Sequence, residues 1–265
     1  LITYDIDKKI IGLTPRIQEY IDARMGRIDY DVIQFNSEHD VRGLHNALLD
    51  LSSYNLEMTG VSKIQVSDSQ NVIFYPRGSQ ITMSKNRDFT FDGIIQSGLF
   101  TFYGRGFDFN YDAFRIGLKN VDSLKIKVQS LTQNEFGLRP LVEVKNAIEY
   151  ITGEILIDDP NNKSSIKDYP QYPIFDSKQH SYVFYDYPAI YGGVYDRKKF
   201  FFKVDPYVID SINNFSTEGL FFDGEFQSAQ IFETMREKIV VQPDYSFGFT
   251  RVTGTKGYPV YKGKG

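Results

Sequence analysis

Cysteine is missing from all 265 residues, which removes disulfides, thiol nucleophiles, thiolate zinc sites and iron–sulfur clusters from consideration. Long apolar runs are missing too. No stretch approaches the roughly 18 consecutive apolar residues of a spanning helix. Alanine, the strongest helix former, occurs only six times, which disfavours a helix-dominated fold. A basic excess is lacking, with 30 Lys+Arg against 34 Asp+Glu and a net charge of −4, so nucleic acid is not an expected partner. There are three histidines, and His39 and His45 stand six apart, which suits neither a helical nor a strand zinc pair. No Gly-x-Ser-x-Gly elbow and no phosphate loop occurs; Gly104-Arg105-Gly106 runs on into Phe107-Asp108-Phe109 without a third glycine. No residue is assigned a catalytic role and no organic cofactor is expected.

What is present points to strands. There are 22 Phe and 19 Tyr, and Asp outnumbers Glu by 23 to 11. Aromatics suit strands, and Asp favours turns where Glu favours helices. With 21 Gly and 10 Pro to supply breaks, the expected class is all-β.

Along the chain, a short N-terminal helix is expected from Thr14 as cap and Pro15 at the first helical position to Gly26 at the end, with Ile17, Tyr20 and Ile21 on one face. For Asp40–Leu51 a helix and a strand reading compete. From Tyr54 the apolar period becomes two, through Leu56 and Met58, Ile64 and Val66, Val72 and Phe74, and on to Leu124, Ile126 and Val128. Residues 1–53 therefore read as a helical cap, 54–129 as a first β-repeat region, and 130–265 as a second, with a long loop at 158–173. The chain begins at Leu1 and not at Met, which suggests a processed product or a segment of a longer one.

Phe91-Asp92-Gly93-x-x-Gln96-Ser97 recurs as Phe222-Asp223-Gly224-x-x-Gln227-Ser228. Two looser echoes pair Val72–Tyr75 with Tyr182–Tyr185, and Asn86–Phe89 with Asp196–Phe200. Repeated strand–corner units favour a stacked architecture, so the leading expectation is a right-handed parallel β-helix, or β-solenoid. The absence of an Asn-Gly or Asp-Gly hairpin series weighs against the alternative, two tandem antiparallel β-sandwich domains.

The stretches Asn86–Gly93 and Phe222–Gly224, with Pro243–Phe249, resemble internal segments of long, uncharacterised envelope or surface proteins of Gram-negative bacteria with solenoid-like repeats. The resemblance implies a segment of a larger exported protein in the cell envelope or outside the cell, with flanking domains as partners. It carries no activity and no functional residues.

Two candidate sites remain. Tyr182, Tyr185, Tyr187, Tyr191 and Tyr195 crowd together with Asp186 and Asp196 among them. Such rings can stack on sugars while the carboxylates hydrogen-bond hydroxyls, or can form a surface for another envelope protein. Asp158, Asp159 and Asn161 cluster oxygen ligands of the kind calcium takes. The expected function is a non-enzymatic structural or binding segment, a stalk or adhesion surface. The alternative is a carbohydrate-active β-helix enzyme, a polysaccharide lyase or glycoside hydrolase.

Overall fold

A computed structural model of the chain describes residues 2–5, 10–13, 33–37, 46–67, 70–163, 165–255 and 257–263. It is all-β. The first ten strands are β1 Ile2–Asp5, β2 Ile10–Leu13, β3 Ile33–Ser37, β4 Ala47–Leu49, β5 Leu56–Thr59, β6 Val61–Gln65, β7 Val72–Pro76, β8 Gln80–Met83, β9 Phe89–Ser97 and β10 Phe100–Asn110. The rest are β11 Arg115–Gln129, β12 Leu141–Glu143, β13 Ile148–Leu156, β14 Ile174–Ser177, β15 Ser181–Phe184, β16 Phe200–Val204, β17 Val208–Ile209, β18 Phe221–Ser228, β19 Met235–Val241 and β20 Phe247–Gly248. Among the described residues the only helical pieces are three-residue 3₁₀ turns, and no helix is long and apolar enough to cross a membrane. The helix expected over 14–26 lies outside the described residues. In the ambiguous segment that follows, the strand reading holds at Ala47–Leu49.

The parallel β-helix is overturned. Every strand pair whose register is described runs antiparallel, from β1 with β2 to β19 with β20. The hairpins escaped the sequence because most of their turns are not closed by Asn-Gly or Asp-Gly. Gly98-Leu99 alone joins β9 to β10, with Ser97 opposite Phe100. Elsewhere residues with side chains take the left-handed backbone that a tight turn needs: Arg87 (φ 70°), Phe114 (φ 49°), Gln230 (φ 65°) and Tyr245 (φ 63°). Ser130–Pro140, polar enough to pass for a linker, is the connection of another hairpin, in which Ser130 N–H donates to Pro140 O (2.8 Å).

The chain divides into two compact units that interleave in sequence. One holds residues 1–121, 153–176 and 208–213; the other holds 122–152, 177–207 and 214–265. Each contains a five-stranded antiparallel meander. In the first unit β3, β6, β7, β9 and β10 pair in that order. In the second the order is β13, β15, β16, β18 and β19.

The Phe-Asp-Gly motif sits on the fourth strand of each meander. Phe91 and Phe222 are buried, Asp92 and Asp223 exposed, and Ser97 and Ser228 buried again, as the two-residue period dictates. Gly93 and Gly224 lie against the neighbouring strand. A Cβ on Gly93 would fall 2.2 Å from Tyr75 O, and one on Gly224 2.1 Å from Lys203 O, so neither position has room for a side chain. The other two echoes do not land on matching strands: Val72–Tyr75 lies in β7, the third strand of its meander, and Tyr182–Tyr185 begins in β15, the second of its own.

Aromatic rings fill the first unit. Phe74 stacks on Phe91 (5.2 Å between centroids), and Phe89 packs on Phe109 at 4.8 Å. In the second unit Phe222 meets Phe247 edge-on at 5.4 Å. Burial on this scale contributes roughly 1.5–3 kcal/mol per large apolar side chain.

Candidate ligand-binding face

The second meander has an outer face unlike its inner one. Glu149 on β13 stands opposite Tyr182 on β15. Phe184, two residues on, points the same way and faces Phe201 on β16. Tyr182 and Phe184 lie with their rings nearly parallel (6.0 Å, 13°), and Phe201 meets Tyr182 at 5.8 Å. Tyr150 completes the group. Its ring stands edge-on to both Tyr182 (6.1 Å, 79°) and Phe184 (6.2 Å, 90°) and is 59% exposed. Its backbone is left-handed (φ 60°), a conformation that costs a residue with a side chain roughly 1–2 kcal/mol.

An ion cluster borders these rings. Arg197 comes from the loop between β15 and β16, where Lys199 and Phe200 N–H groups both donate to Asp196 O and close the turn. Its guanidinium lies over the Phe184 ring, 4.1 Å from the centroid. Nη1 and Nη2 donate to the two oxygens of Glu149 (2.7 and 2.9 Å), and Nε donates to Asp186 (2.8 Å). Tyr187 O–H donates to Glu149 Oε1 (2.5 Å). Hydrogen bonds to Glu149, then to Asp186, push the Arg197 pKa up from its ordinary value. Burial, then the bond to Glu149, pushes the Tyr187 phenol up as well. Glu149 is nearly buried, so the paired donors offset its loss of water.

The five tyrosines marked from the sequence separate. Tyr182 belongs to the outer face, and Tyr187 reaches it through Glu149. Tyr185 does not: it is buried against Phe200 (5.7 Å) and Phe226 (6.4 Å), and burial pushes its phenol pKa up. Tyr195 stacks on Phe200 at 4.2 Å and 16°, and Tyr191 stands 80% exposed at the edge of Tyr195. Glu149 and Tyr150 were missed. They lie more than thirty residues before Tyr182, and only strand pairing brings them to it.

The 158–173 loop, in the first unit, is held by hydrogen bonds within itself and from Gln70. Asp158 is 1% exposed. Its Oδ2 accepts from Gln70 Nε2 (3.0 Å) and Asn162 Nδ2 (2.9 Å), and its Oδ1 from Asp159 N–H (2.7 Å). Asp159 Oδ1 accepts from Asn161 N–H (2.8 Å). The carboxylates marked for calcium thus face N–H donors, as in a capped turn. Among the described residues no group of three His, Cys, Asp or Glu side chains is placed to hold a metal.

No protein-family model, curated protein or solved structure matches the chain.

Proposed function

We propose that the chain is a non-enzymatic binding segment of a larger exported bacterial protein, working in the cell envelope or outside the cell, and that its ligand meets the outer face of the second meander. The observation that carries this reading is Tyr150, an exposed ring kept in a left-handed backbone against Tyr182 and Phe184. An exposed ring held edge-on to two others presents aromatic surface that the core does not use. The chemistry of the cluster agrees with binding rather than turnover. A glycosidase needs a proton-donating carboxyl opposite a second carboxylate, and here Glu149 and Asp186 both accept from one guanidinium. The export and envelope part of the reading is supported by the resemblance at Asn86–Gly93 and Phe222–Gly224.

Hydroxyl-radical footprinting in the presence of a Gram-negative cell-envelope extract tests it. Tyr150, Tyr182 and Phe201 are expected to lose reactivity, with no release of reducing ends or unsaturated sugars from the extract. Protection confined to other residues, or any such release, would contradict it.

A further inference from the structure

The two meanders serve as controls for each other. Counted from their shared motif, Phe74 in the first takes the position of Phe202 in the second, Ile64 that of Val183, and Phe35 that of Ile148. All six are fully buried. On the outer face the match ends. Where the second meander has Glu149, Tyr182, Phe184 and Phe201, the first has Asn36, Lys63, Gln65 and Ile73. The first meander's Tyr75 stands where the second has Lys203, but the same strand order and inward pattern form without rings at these four positions. Folding does not demand them.

We propose that these rings take a neutral polysaccharide chain; this rests on the reading of the face as a binding surface. Exposed Tyr rings offer flat apolar contact to the C–H faces of pyranose rings, and carboxylates beside them accept from sugar hydroxyls. A protein partner would favour a contact centre depleted of charge, whereas here the partly exposed Arg197 and Asp186 border the rings.

Charge selects the class of sugar. Lys203 stands opposite both Tyr182 and Glu225, and Arg236 lies 3.7 Å from Glu225, so around the rings the carboxylates of Glu149, Asp186 and Glu225 are matched by the cations of Arg197, Lys203 and Arg236. The guanidinium of Arg197 is already shared between two carboxylates. The face thus carries no net positive charge to draw a uronic acid polymer, and hydroxyl recognition needs none.

Affinity electrophoresis of the whole chain tests this, through gels holding hydroxyethyl cellulose, mannan, alginate or polygalacturonate. Retardation by at least one of the two neutral polymers is expected, weakened about tenfold or more by Tyr182→Ala, equivalent to about 1.4 kcal/mol, and unchanged by Lys63→Ala at the matching position of the first meander. Retardation by the acidic polymers alone, lost in Tyr182→Ala, would overturn the neutral class and leave the binding face standing. Neutral-polymer retardation that Tyr182→Ala does not alter would overturn both. Retardation by none of the four would overturn the polysaccharide proposal, and footprinting with envelope extract would then decide the face separately.

Discussion

Asp158 keeps a carboxylate almost out of water, and burial pushes its pKa above the ordinary aspartate value despite the N–H donors of Gln70, Asp159 and Asn162. The folded chain therefore holds this proton more tightly than the unfolded chain does. That contribution to stability is fully present below the unfolded pKa of about 3.9 and is lost as pH rises through the higher folded value. Asp158→Asn has no such proton. In urea melts across pH, the stability of the native chain relative to Asp158→Asn should be constant around neutrality and grow as pH falls through the carboxyl's raised range. A difference that shrank on acidification would mean that the fold stabilises the ionised form. The sequence marked this loop by its oxygen-rich composition. It gave no means of finding Gln70, whose amide comes from 88 residues away.

At the scale of the strand, alternation was legible and direction was not. Leu56 and Met58, Val72 and Phe74, and Ile81 and Met83 are buried in step with the two-residue period, but a strand with one buried face alternates in the same way whichever way its neighbour runs. Direction resides in the turns, and Arg87, Phe114, Gln230 and Tyr245 hide theirs behind side chains that seldom take a left-handed backbone. The Phe-Asp-Gly motif was the better guide, because burial and close backbone approach constrain Phe and Gly at once. Phe91→Ala and Phe222→Ala should each lose roughly 3–5 kcal/mol in denaturant melts, and Asp223→Ala under about 1 kcal/mol. Silent Phe variants would show that the motif does not hold a core.

At the scale of the whole molecule, the two meanders share an inward pattern and differ on their outer faces. The aromatic crowding was visible in the sequence because Tyr182–Tyr195 is a local run. The division of that run into a core ring, Tyr185, and a surface ring, Tyr182, required the register. Arg197 stood out only as part of an echo, and the echo did not mark its partners. The central claim is that the outer rings serve a ligand and not the fold. The most direct test is the urea stability of the double variant Tyr182→Lys/Phe201→Ile, which gives the second meander the residues that the first carries at those positions. A loss of no more than about 2 kcal/mol is predicted, because both rings are only half-buried. A loss of about 4 kcal/mol or more, the scale of emptying a core site, would make the rings structural and contradict the account.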